Sequence, residues 1–200
     1  MYYNLLIKLD LRPYALDVNY NSMNKFINYT DISDKYEYKY EDSVAFIDMG
    51  ASFIDVNIYK NGQLDFTRII KAGGNDINTF FYEMNGMKFE ESETLKLERI
   101  DLLDENDSIN IAVKEIADEW IDKIEKIIQF YKNKSIDNNV DKILILGGGS
   151  KLKGFERYMA DKIGISTKRV KGISKISFKS EDDGEPIDDF INAIGSIIRL

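Results

Sequence analysis

Two short stretches hold the residues with which this chain could do chemistry. In the first, Asp48-Met49-Gly50-Ala51-Ser52, a carboxylate and a hydroxyl flank a glycine and an alanine. Small residues there let backbone N–H groups approach a phosphate oxygen, and the adjacent Asp can hold Mg²⁺ through water. In the second, Gly147-Gly148-Gly149-Ser150, three consecutive glycines lose conformational entropy on folding and return no packing. That pattern favours a ligand lying against bare backbone at a helix start. Each stretch also has a plain structural alternative, a strand-to-strand turn for the first and a close strand-to-helix packing turn for the second.

The elements needed to position these groups are legible around them. Val44 to Ile47 is an apolar run, followed by the Asp-x-Gly turn and by alternation through Ile54, Val56 and Ile58. The dipeptide Asn61-Gly62 predicts a type I′ hairpin into a third strand with Leu64 and Phe66 on one side and Asp65 and Thr67 on the other. A three-stranded antiparallel meander results. Ala72-Gly73-Gly74-Asn75-Asp76 introduces a helix through Ile77, Phe80, Phe81 and Met84, ending near Asn85-Gly86. A charged, weakly helical segment follows, in which Glu90, Glu93, Lys96 and Leu97 recur at helical spacing; by default it is a solvated face with ion pairs. Ile109, Val113, Ile116, Trp120, Ile124, Ile127 and Tyr131 trace the core face of a helix from about Ser108 to Asn133. Lys142 to Leu146 reads as a strand covered on both faces and breaks into the glycine run. A helix from about Leu152 to Ile163 comes next.

The flanks are less regular. Leu5 to Leu9 is a short apolar segment, and Tyr14 to Val18 is a strand-like run ending at Asp17, which with Asn19 could cap a helix carrying Met23, Phe26 and Ile27. Thr30 to Asp42 reads as a surface loop or edge strand. Thr167 to Ser180 reads as one or two short strands, and Pro186 as the first turn of a terminal helix.

The 200 residues include no cysteine and no histidine, with 44% hydrophobic and 31% charged residues and a formal charge of −8. Disulfides, thiolate chemistry, cysteine-ligated zinc and imidazole bases are excluded, so any chemistry rests on carboxylates, lysines, hydroxyls and a hard cation. The acidic balance argues against a nucleic-acid backbone as main partner. With no stretch long enough to span a bilayer and no leader pattern, the expectation is a cytoplasmic protein without direct membrane insertion.

Taken together, the Asp-x-Gly hairpin, the Gly-Gly-x-Asp helix start, the acidic helix with a lysine and the strand closing on three glycines resemble the actin-like ATPase superfamily. Within it, IDMGASFIDVNIYKNGQLDFTRIIKAGGNDI, FEESETLK, LILGGGSKLKGF and NAIGSIIRL are similar to the type IV pilus assembly protein PilM family, across essentially the whole chain. The resemblance implies an α/β fold of the actin-like (ribonuclease H-like) kind, a mixed sheet flanked by helices, with an incomplete amino-terminal lobe. Residues 1–43 would be the remainder of the first lobe and 44–185 the second lobe, with a small inserted subdomain around 87–105. Residues 186–200 would be a terminal helix returning to the first lobe.

The implied cofactors are ATP and Mg²⁺. Asp48, Gly50 and Ser52 would form the second phosphate motif, with Asp48 holding Mg²⁺ through water, and Gly147, Gly148, Gly149 and Ser150 the adenosine motif. Glu93 and Lys96 would contact ribose and adenine. Asp17 would orient the attacking water at the first interdomain connection, and Ala193 and Gly195 would lie at the second. One departure stands out: the family's first phosphate hairpin and extra subdomain have no counterpart, as expected of a fragment or a shortened member. The chain alone is therefore expected to bind nucleotide weakly and to hydrolyse little. The implied role is a cytoplasmic scaffold in pilus assembly and twitching motility. It would be recruited to the inner face of the cell membrane by a short peptide of a PilN-like partner and engage other assembly components, with self-association allowed. The alternatives are an active ATPase or small-molecule kinase of the superfamily, and the cell-division actin homologue.

Overall fold

The computed structural model describes residues 2–14, 17–171 and 190–198. Five strands form one mixed sheet in the order β3-β2-β1-β4-β5. They are β1 (Val44–Met49), β2 (Ile54–Lys60), β3 (Gln63–Ile70), β4 (Lys142–Leu146) and β5 (Thr167–Arg169). The first three are the expected antiparallel meander, and β4 and β5 add in parallel on the other side of β1. Asn61 and Gly62 both have positive φ, as a type I′ turn requires.

Alternation along β1 sorts the core into two layers. Ala45, Ile47 and Met49 pack with Ile143 and Ile145 of β4 beneath the long helix α6 (Ser108–Lys134) and the helices α4 (Gly74–Asn85) and α7 (Phe155–Ile163). Val44 and Phe46 point the other way, with Leu144 and Leu146, against α2 (Asn19–Tyr29) and α8 (Ile191–Ile197). Trp120, buried on α6, meets Phe155 edge to face. Each side chain of this size contributes roughly 1.5–3 kcal/mol when fully buried.

Several local expectations are corrected. β1 runs on through Met49, so Asp48 belongs to the strand and the turn begins at Gly50. The segment from Leu5 is part of a helix, α1 (Tyr2–Lys8), and Tyr14, Asp17 and Val18 form no strand; Val18 takes the N-cap position of α2 with no side-chain cap. Between Thr30 and Asp42 lies a one-turn helix, α3 (Ile32–Lys35), because buried Ile32 docks on the sheet layer of Phe46 and Val44. On α6 the buried line runs through Val113, Ala117, Trp120, Ile121, Ile124, Ile128 and Tyr131, with Ile109, Ile116 and Ile127 at its margin. The charged segment is helical as α5 (Phe89–Glu98). A 3₁₀ turn (Gly148–Lys151) separates the glycine run from α7, which starts at Phe155 rather than Leu152. The expected strands beyond Lys171 and the Pro186 helix start lie outside the described residues.

Candidate functional site

The β1–β2 turn is fixed before any ligand is considered. Gly50 N–H donates to Phe53 O at 3.0 Å. The first turn of α4 then docks on it, Gly74 N–H on Gly50 O at 3.1 Å and Asn75 N–H on Ala51 O at 2.8 Å. These two α4 donors are therefore committed to the protein. Gly73 permits this close approach, since a Cβ there would lie 2.4 Å from Gly50 O.

A cleft with a cavity of about 90 Å³ opens beside this joint, its mouth open to solvent. Four elements meet there: Gly50 and Ala51 of the turn, Gly74 and Ile77 of α4, Glu93, Lys96 and Leu97 of α5, and Gly148 and Gly149 of the 3₁₀ turn, with Leu152 behind them. Its walls combine bare backbone, three aliphatic side chains, one ammonium and one carboxylate. Lys96 is only 7% exposed; its Nζ donates to Glu93 Oε1 at 2.5 Å and to Gly74 O at 3.3 Å. Asn78 donates to the same Glu93 oxygen at 2.9 Å, and Ser92 Oγ donates to Asn78 Oδ1 at 2.6 Å. Burial pushes the Glu93 carboxyl up, but hydrogen bonds from Lys96 and Asn78 and the Lys96 charge outweigh it and hold the group below its ordinary value.

Asp48 stands behind the glycine run rather than in the cleft lining. Its Oδ2 accepts a hydrogen bond from Asn192 Nδ2 at 3.0 Å. Its other oxygen, Oδ1, is the atom that a Cβ on Gly147 would meet at 2.4 Å, and Gly147 also has φ +81°, so any other residue there is disfavoured twice. Asp55 is its cross-strand partner. Burial pushes the Asp48 carboxyl up, opposed by the Asn192 hydrogen bond and reinforced by the Asp55 charge; burial also raises Asp55, against a hydrogen bond from Asn19.

A family model described as type IV pilus assembly protein PilM matches residues 3–193. The chain belongs to the PilM family. Among solved structures, it is similar to a PilM-PilN type IV pilus biogenesis complex, with TM-score 0.75 and 19% identity over 97% of this chain and 55% of that one. The ethanolamine utilization protein EutJ of Carboxydothermus hydrogenoformans aligns with TM-score 0.61 and 14% identity, over 96% of this chain and 57% of that one. MreB5 of Spiroplasma citri bound to ADP aligns with TM-score 0.63 and 13% identity, over 98% and 62% respectively. These likenesses establish the actin-like fold, and the chain spans about half the length of the structures it matches.

Within this PilM-family chain, Gly50, Glu93, Lys96, Gly148 and Gly149 line one cleft. Ser52, Gly147 and Ser150 do not line the cleft. Ser52 is exposed and its Oγ accepts from Asn75 Nδ2 at 3.0 Å; Ser150 is buried and donates to Gly147 O at 2.7 Å, a turn-closing role. Asp17 lies in a separate hollow with Asn192 and Ala193. There it accepts from Val18 N–H at 2.9 Å, Asn21 Nδ2 at 2.6 Å and Lys25 Nζ at 2.7 Å. Hydrogen bonds from Lys25, Asn21 and Val18 hold its carboxyl down at about 2. Sequence reasoning missed Asp55, Asn192, Ile77 and Leu97. Among the described residues no group of three or more acids is placed to hold a metal.

Proposed function

We propose that this chain is the nucleotide-binding part of a cytoplasmic scaffold for type IV pilus assembly. The observation that carries the reading is the convergence of Gly50, Glu93 with Lys96, and Gly148 with Gly149 on one cleft. Gly148 supports an adenosine nucleotide as the occupant: a Cβ there meets no atom within 4 Å, so nothing in the protein itself requires glycine at that position. Ile77, Leu97 and Leu152 supply an apolar surface for a base, Glu93 an acceptor for hydroxyls and Lys96 a positive charge.

The residues fit Mg²⁺ in the way expected of a water-mediated site, since Asp48 is the carboxylate beside the Gly50 turn and a single protein acid suffices when phosphates and water complete the shell. When bound, the ion would neutralise phosphate charge. The chain's own groups favour binding over turnover. Asp17 already spends its lone pairs on Lys25, Asn21 and Val18 and holds its proton weakly, which makes it a poor acceptor from an attacking water.

In this reading residues 1–43 are the remainder of a first lobe and residues 44–185 a second lobe with an insertion around 87–105. The chain from 186 returns toward the first. A PilN-like protein is the proposed partner, presenting a short cytoplasmic peptide and holding the scaffold at the inner face of the membrane. No helix among the described residues is long and apolar enough to cross a membrane itself. Thermal-shift titration with Mg-ATP tests the central claim: stabilisation that is lost in Gly148→Val supports it, and absence of any shift in the unmodified protein overturns it.

A further inference from the structure

Two asparagines connect the acid pair at the end of the sheet to the helices that cover it. Asn192, on α8, donates to Asp48 Oδ2 at 3.0 Å, and Asn19, opening α2, acts on Asp55, lowering its carboxyl against the effect of burial. Asp48 and Asp55 are directly opposed on β1 and β2. The two helices are themselves locked together: Gly195 lies so close to Ser22 that a Cβ would stand 2.0 Å from the Ser22 carbonyl oxygen.

The Asn192 bond also fixes which oxygen of Asp48 is available. With Oδ2 engaged from the α8 side, Oδ1 is held against the backbone of Gly147, at the base of the glycine run. Free rotation of the carboxylate would otherwise present either oxygen in either direction. We infer that Asn192 is a positioning residue that aims Oδ1 of Asp48 toward the glycine turn, and that through the α2–α8 lock the state of Asp48 is transmitted to Asn19 and Asp55. This rests on the nucleotide reading for its biological use, in which the ligand at Asp48 is the water shell of a divalent cation, but the bond and the lock can be tested without nucleotide.

The charged group facing Asp48 from a neighbouring strand is Asp55; α8 carries no ionisable residue, and Lys25, the one charged residue of α2, is held by Asp17. Replacing Asn192 by leucine keeps the size of the side chain and removes the donor. Three readouts on the wild-type chain and Asn192→Leu decide the matter.

A crystal structure of Asn192→Leu should show the Asp48 carboxylate rotated so that Oδ1 leaves the backbone of Gly147, and an unmoved carboxylate would overturn the positioning role. Amide exchange should accelerate severalfold in both α8 and the first turn of α2; acceleration confined to α8 would overturn the lock. The preference for Mg-ATP over Mg-free ATP should fall about tenfold, a loss of about 1.4 kcal/mol, with adenosine affinity held within about twofold; an unchanged preference would overturn the link to the cation. If the wild-type chain binds no nucleotide, the nucleotide reading and its cation link fail, and the carboxylate geometry and amide exchange still decide the positioning role and the lock. Asp48→Ala approaches the same bond from the strand and should loosen α8 and α2 together; if it leaves both unchanged, the lock fails even should Asn192→Leu not fold.

Discussion

Gly147 stands so close to Asp48 that a single added carbon would lie 2.4 Å from the Asp48 Oδ1. The two stretches singled out for chemistry thus touch backbone to carboxylate, through the parallel pairing of β1 with β4 that sets Asp48 beside Leu146. Gly147→Ala should destabilise the fold by about 1–3 kcal/mol, from the positive φ and the clash together. Urea denaturation checks this. Gly148→Val should leave the unfolding midpoint within about 1 kcal/mol because its side chain enters open space, while Mg-ATP no longer raises the melting temperature.

Asp48 gives a pH signature. Its carboxyl titrates above its unfolded value, so between those two values the native state binds more protons, and stability falls as pH rises through that window. At neutral pH the charged form is a net burden on the fold. Asp48→Asn should therefore raise the melting temperature at pH 7, and the gain should shrink as pH falls through the raised value toward the ordinary carboxylate value, below which it is gone. Paired melting curves from pH 3.5 to 7 test this; a constant difference would contradict it.

The same substitution should weaken Mg-ATP more than Mg-free adenosine. Calorimetric titration with both ligands distinguishes a cation-holding acid from one that only shapes a turn, for which the two losses would be equal.

Lys96 is buried between Glu93 and the carbonyl of Gly74. Lys96→Met keeps the bulk and removes the charge, so the Glu93 carboxyl should rise toward its ordinary value or beyond, with burial left to dominate. Nucleotide affinity should fall by about tenfold, measured by calorimetry, with Glu93 followed by NMR.

Trp120 donates from Nε1 to Asp76 Oδ2 at 2.9 Å, and the same oxygen accepts Gly73 N–H at 3.0 Å. Trp120 is 1% exposed, so its emission should be blue-shifted and poorly quenched by iodide. Asp76→Ala strands both donors and should cost roughly 1–3 kcal/mol for each. A red-shifted wild-type spectrum would contradict this placement.

Local rules made the meander, the Asn61-Gly62 hairpin, the α4 start and the β4 strand legible, since each depends on neighbours in sequence. Asp55 was hidden because alternation alone marks it as an outward polar position; only the register across a four-residue turn sets it against Asp48. Asn192 opens the NAIGSIIRL stretch, but nothing in its type or spacing marks it as the partner of Asp48, which the fold brings from 144 residues away. Ser52 and Ser150 show the converse: hydroxyls at the right spacing, turned to Asn75 and Gly147 by the turn geometry. The α3 turn reads from sequence as a surface loop or edge strand because Ile32 is the one buried residue that anchors it.

The central strand has a consequence for how the chain is made. β1 bonds on one side to β2, which follows at once, and on the other to β4, which comes only after α4, α5 and α6. During synthesis the meander can close while its inner edge stands open, presenting Val44 to Asp48 to any extended segment in reach. Emergence of Lys142 to Leu146 from the ribosome, more than any earlier event, is what turns a sticky hairpin into a sheet.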